Sequence, residues 1–184
     1  FGPARKVTRI DGNVLAELDG EPALAIYKRY LGNPAKDLPG SGLLFPFLML
    51  DGEERRKGLI RTTLAVDDAQ GTLTLAGEID SGGYLQLMHA STDALVDGAE
   101  AAARDTLREP APDGDALAIL VSCVGRKLVM GDRVDEEIEA VAEVLGDRAV
   151  LAGFYSYGEF GPLGEGSTCM LHNQTMTVTR IGEA

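Results

Sequence analysis

The apolar pattern changes rhythm near residue 84. Before that point short apolar runs alternate with turn residues, and after it strand-length and helix-length patterns take turns. Asp-Gly pairs at 11–12 and 51–52 sit between apolar segments and predict two tight hairpins, because glycine supplies the positive φ that such turns need. Residues 43–50, 59–66 and 72–76 then predict an antiparallel meander. Between the hairpins, Pro22 opens and Gly32 closes a short amphipathic helix with Leu24, Tyr27 and Leu31 on one face.

From Tyr84 the pattern predicts strand 85–90, helix 92–107, strand 117–124, helix 133–145 and strand 150–157. Leu95, Ala99, Ala102 and Thr106 mark the inward stripe of the first helix, and Val134, Ile138, Val141, Ala142 and Leu145 that of the second. Asp132 is the expected N-cap of the second helix, acidic residues at 135–137 suit its positive end, and Gly146 closes it. The run 116–124 is almost continuously apolar, which predicts a central strand buried on both faces. A last strand over 170–181 places Thr175, Thr177 and Thr179 on one face and Met176, Val178 and Ile181 largely on the other, with His172 and Gln174 opposite Asn173. Residues 110–114 carry the strongest loop signal, too short for a domain linker. The predicted fold is α/β in the mixed α+β sense: a mostly antiparallel or mixed β-sheet, an N-terminal β-meander and about three helices packed on it.

A length of 184 residues favours one compact unit, and 45% hydrophobic with 25% charged residues excludes disorder as the main state. Seventeen basic against 29 acidic residues give a net charge of -12, a field that repels nucleic-acid phosphates and anionic lipid heads. The longest apolar runs, at 42–50 and 116–123, fall well short of the ~20 residues that cross a bilayer, and no signal sequence opens the chain. The reading is a cytoplasmic protein with no nucleic-acid partner and no membrane insertion. Cys123 and Cys169, without a secretory signal, read as reduced thiols. A strand pattern already at 7–10, just behind Phe1, predicts the later part of a longer protein.

Candidate chemistry concentrates late in the chain. Ser122 to Arg126 leaves the end of the central strand, where open α/β sheets place ligand crevices, and Arg126 offers a planar cationic fork to a carboxylate or phosphate. The alternative is a surface arginine paired with the acidic helix that follows. Residues 153–166 hold five glycines, Tyr155 and Tyr157 flanking Ser156, and Glu159, a composition that brings backbone close to a ligand between flat aromatic walls or simply builds a packed turn. His172, Asn173 and Gln174 either line a pocket or form a polar network holding that loop. Cys123, His172 and Glu159 or Asn173 make a nucleophilic trio only on paper, since a thiol at the end of an apolar strand is usually a small buried hydrophobe. Two histidines and two cysteines lack metal-ligand spacing, and no metal site is expected.

Three separated segments, SCVGRK (122–127), GFYSYGEFGP (153–162) and LHNQTMTVT (171–179), together with PALAIYKRYLG and LPGSGLLFPFLML earlier, resemble the FIST C-terminal domain, the later half of the FIST sensory module. The resemblance spans about residues 18–181 and casts residues 1–17 as the join to an absent N-terminal FIST domain. It implies a bacterial, cytoplasmic, non-enzymatic input domain that senses a small ligand and relays to histidine kinases, diguanylate cyclases or chemoreceptors. Amino acids are the ligands it suggests. Ser122, Cys123, Gly125, Arg126, Tyr155, Gly158, Glu159, His172, Asn173 and Gln174 match its signature positions.

Four readings follow. In the first, Arg126, Glu159 and the tyrosines, Tyr157 included, hold a zwitterion, the arginine facing its carboxylate and the glutamate its ammonium. In the second, suggested by haem-containing members that sense nitric oxide, His172 or His89 ligates haem iron. A Cys123-dependent enzyme and a pure dimerisation domain complete the set.

Overall fold

The computed structural model describes residues 2–52, 55–108, 115–162 and 168–182 and, for residues 55–57, the backbone alone. The loop predicted at 110–114 and the end of the glycine-rich segment, 163–166, lie outside the described residues. Where length favoured one compact body, the chain divides into two, Phe1–Ala90 and Ser91–Ala184. Together they make a mixed α+β protein with four α-helices among the described residues, one more than expected.

The first unit runs β1 (Arg5–Asp11), β2 (Val14–Leu18), β3 (Glu21–Pro22), α1 (Ala23–Leu31), two short 3-10 turns, β4 (Phe47–Asp51), β5 (Arg55–Arg61), β6 (Thr63–Asp67), β7 (Thr72–Leu75) and β8 (Tyr84–Leu87). Its sheet is antiparallel in the order β5-β4-β8-β1-β2-β7-β6, with β3 on β2. The predicted hairpins join β1 to β2 and β4 to β5, and Gly12 takes the positive φ, 58°, that its turn demands. Residues 59–66, read as one strand, are parts of two. Only Thr62 separates β5 from β6, yet they stand at opposite ends of the strand order. A residue spans at most ~3.6 Å, so the sheet curls until its edges approach without hydrogen-bonding into a closed barrel. β1 and β2 take up most of residues 1–17, the stretch expected to join an earlier domain, and both are strands of this sheet.

Helix α1 buries Ala23, Leu24, Ile26, Tyr27 and Leu31 among Leu15, Leu73, Leu75 and Leu85. Gly32 caps it, its N–H donating to the Lys28 carbonyl at 3.0 Å. Tyr27 stacks obliquely on Phe47, with centroids 5.2 Å apart, and donates its hydroxyl to the Phe45 carbonyl at 2.7 Å. Burial pushes its phenol up to about 12.

The second unit runs α2 (Thr92–Asp105), β9 (Ala116–Cys123), α3 (Val124–Met130), α4 (Glu136–Leu145), β10 (Ala149–Ser156), β11 (Glu159–Gly161), β12 (Met170–His172) and β13 (Met176–Gly182). β9 is central as predicted, with β10 parallel to it and β13 antiparallel, while β11 and β12 form a separate antiparallel pair. Ala99 and Ala103 of α2 and Val141 of α4 pack on Ala118, Leu120 and Met176. These helices cover one face of the sheet, so β9 is not buried on both: Leu117 is exposed and Ile119 and Val121 are half-buried.

Three local expectations change. α4 begins at Glu136 with Asp135, not Asp132, at its cap, and Ile138 turns outward while Glu137 takes the inward position. α3 was not predicted at all. The last strand breaks at Asn173 and Gln174, where Gln174 adopts φ 55°, so His172 and Gln174 do not oppose Asn173 across a pleat; all three are buried.

Candidate functional site

β9 delivers Ser122 to the helix-covered face, α3 starts immediately afterwards, and Arg126 stands one turn into it. The guanidinium turns inward and meets Glu137 of α4, Arg126 Nε donating to Glu137 Oε2 at 2.9 Å. Both side chains are buried, 4% and 0% exposed. Such a pair survives in low dielectric only when its remaining valences are filled. Here Arg126 Nη2 donates to the Leu95 carbonyl at 2.8 Å, and Glu137 Oε1 accepts from Ser122 Oγ and from the Tyr155 hydroxyl, both at 3.1 Å. Burial and the adjacent Glu137 carboxylate push the Tyr155 phenol up to about 12, so it stays protonated as a donor at neutral pH. Lys127 Nζ lies over the Tyr155 ring, 4.8 Å from its centroid.

Arg126 therefore pairs with the acidic helix that follows, but in the interior rather than on the surface. Glu137 is the residue that sequence reasoning missed. It stands four residues before Val141 and eight before Leu145, on the buried stripe of α4, and an acid at that spacing behind a strand-end arginine was the signal.

Beside this network lies a cavity of about 200 Å³. Leu120, Leu151, Ile138 and Met176 give it apolar walls, and Ser122, Glu137 and Tyr155 form its polar end. Gly153 is required on its β10 side: a Cβ there would fall 2.1 Å from the Leu120 carbonyl oxygen, a backbone atom that cannot step aside.

A second network forms around Glu159 of β11, also buried. Its carboxylate accepts from Ser156 Oγ and, at 2.6 Å, from Thr175 Oγ1. His172 pairs with Glu159 across the β11–β12 ladder and donates Nε2–H to the Gly161 carbonyl at 2.8 Å, while Asn173 Nδ2 donates to the His172 carbonyl at 3.1 Å. Since Tyr155 pairs with Ser122 and Ser156 with Cys123, alternation puts the two networks at opposite faces of the same strand ends.

Ser122, Arg126 and Tyr155 are thus brought together, and Glu159, His172 and Asn173 meet elsewhere. Arg126 and Glu159 stand in separate networks on opposite strand faces, and each is held by the protein's own groups. Cys123 is a buried free thiol whose backbone N–H donates to the Thr175 carbonyl at 3.0 Å. Gln174 is buried at the strand break, and Tyr157 projects outward, 92% exposed, from neither network. Among the described residues no group of three or more His, Cys, Asp or Glu side chains is placed to hold a metal.

The Gly161 carbonyl can only accept, so His172 keeps its proton on Nε2 and spends that nitrogen on the backbone. His89, in the other unit, packs against Phe45 with ring centroids 5.4 Å apart. Neither histidine lines the cavity.

The family model described as FIST C domain matches residues 23–162. The chain belongs to the FIST C family. No curated protein and no solved structure matches it. Membership points to a signal-transduction sensory domain. The FIST C match takes in α1 and runs through β11, including Ser122, Arg126, Glu137, Tyr155 and Glu159. It ends before β12, so His172, Asn173 and Gln174 lie beyond the matched segment. Among the described residues no helix is long and apolar enough to cross a membrane.

Proposed function

We propose that this FIST C chain is a bacterial, cytoplasmic sensory input domain that binds a small ligand in the cavity beside Glu137 and relays its occupancy to a signalling partner. The observation that carries the reading is one buried carboxylate, at the wall of that cavity, tied to several elements at once. Glu137 on α4 holds Ser122 of β9, Tyr155 of β10 and Arg126 of α3, and through Arg126 it reaches Leu95 of α2. A ligand that engages Ser122 or Tyr155 alters the partners of a charge that cannot be left unpaired, and the helices holding that charge must respond. The reading assigns no catalytic step. Its partners are a FIST N-terminal domain and an output protein such as a histidine kinase, diguanylate cyclase or chemoreceptor.

Thermal-shift screening of small molecules against the native chain and Ile138→Trp tests it. Ile138 borders the cavity and is 42% exposed, so an indole there fills the space without disturbing the core. Ligands at a hundredfold excess over their Kd stabilise the folded state by about 2.7 kcal/mol. The expected outcome is at least one ligand that raises the Tm of the native chain and not that of Ile138→Trp. Equal shifts in both proteins, or none in either, contradict the assignment.

A further inference from the structure

We infer that the cavity selects a small molecule with an apolar body and a hydrogen-bond-donating head, and that it rejects carboxylates. The inference rests on the cavity being the binding site and specifies what enters it. Ser122, Glu137 and Tyr155 are the polar side chains in its lining. Each hydroxyl owns a single proton, and both protons point to Glu137. Arg126, the cation that would attract an anionic head, is not in the lining and directs Nε to Glu137 and Nη2 to the Leu95 carbonyl. The side chains at the polar end therefore present oxygen lone pairs beside a carboxylate. A hydroxyl, amide or ammonium head finds acceptors there. At these side chains a carboxylate head meets like charge and acceptor oxygens, and turning a hydroxyl toward it would leave Glu137 short of a donor in the interior.

The apolar walls set the body. A ~150 Å³ apolar cavity accommodates benzene, so about 200 Å³ admits one ring with a short head group or an aliphatic chain of similar bulk. An amino acid lying in this cavity would have its ammonium matched and its carboxylate unanswered, contrary to the anchoring by Arg126 that the sequence suggested.

Calorimetric titration at pH 7 with benzyl alcohol, benzylamine and benzoate, probes of nearly equal shape, tests the head-group rule. One net hydrogen bond corresponds to roughly a tenfold change in Kd. Benzyl alcohol or benzylamine is expected to bind at least tenfold more tightly than benzoate, Tyr155→Phe to weaken that binding by roughly tenfold, and Ile138→Trp to abolish it. Benzoate binding that matches or exceeds the others, and is lost in Ile138→Trp, overturns the donor rule and leaves the cavity as the site. Binding that survives Ile138→Trp, or no binding by any of the three, overturns the rule and the site together.

Discussion

The two units spend their interiors differently. Among the described residues, the first packs sixteen buried apolar residues into one core, and its buried polar side chains are Arg61, Thr62 and Thr63. Among the described residues, the second has a core of six and buries the side chains of Ser122, Arg126, Glu137, Glu159, His172, Asn173 and Gln174. Ten of the twelve large apolar side chains exposed among the described residues also belong to the second unit. Their buried arginines sharpen the contrast. Arg61 donates to the backbone carbonyls of Glu78 and Ile60 at 2.8 and 3.0 Å, and burial pulls its pKa down against the opposing charges of Asp80 and Glu78, whereas Arg126 donates directly to a fully buried carboxylate. An arginine that neutralises an acid beside a cavity keeps a charge where a ligand can reach its partners. Under the proposed function, the first unit is the scaffold and the second the responsive half.

The largest expected effect breaks the polar half. Glu137→Ala leaves Arg126 buried without its counter-charge and is expected to cost about 3–5 kcal/mol in the second unit, read by urea unfolding. Replacing both partners together, Arg126→Met with Glu137→Leu, is expected to cost less than Glu137→Ala alone, because no orphan charge remains. In the first unit, Leu73→Ala removes a fully buried side chain from an apolar core and is expected to cost about 2–5 kcal/mol. There a second apolar substitution in contact offers no comparable rescue.

Alkaline pH gives a smaller, two-sided test. Tyr27 and Tyr155 are both pushed up to about 12, the first by apolar burial and the second by burial plus Glu137. An unfolded tyrosine titrates near ~10, so the unfolded chain loses these protons first. The stability they contribute is complete below the unfolded value and is lost as pH rises toward the folded one. Unfolding curves taken between these two pH limits are expected to flatten in Tyr27→Phe and in Tyr155→Phe, each in its own unit. The smallest effect is expected at the exposed edge of β10: Phe154→Ala, at a residue 64% exposed, is expected to shift stability by no more than about 0.5 kcal/mol. A larger loss would mean that this apolar surface supports the unit more than its exposure indicates.

Local chemistry made much of the fold legible. Pro22 and Gly32 bracketed α1, the Asp-Gly pairs marked two hairpins, and the apolar run in β9 identified the central strand. What local chemistry could not supply was long-range pairing. Nothing in residues 59–66 indicates that β5 and β6 stand at opposite ends of one curled sheet. The final strand looked continuous because Gln174 seldom takes a left-handed conformation, and the buried polar contacts around it arise only after β11 pairs with β12. At the site, Ser122, Arg126 and Tyr155 were legible as polar groups at strand ends. Their meeting point was not, because a helix that starts at Glu136 instead of 133 turns Glu137 inward and Ile138 outward.

The central claim is that the second unit is the ligand-responsive half and that Glu137 is its hub. Amide chemical shifts of the whole chain, followed while benzyl alcohol is titrated in, test it most directly. The account predicts movement concentrated on Ser122, Glu137, Gly153, Tyr155 and the Leu95 turn of α2, with Leu15, Leu73 and Leu85 of the first unit unmoved. Movement centred on the first unit, or on the Glu159 network with Glu137 silent, would contradict it.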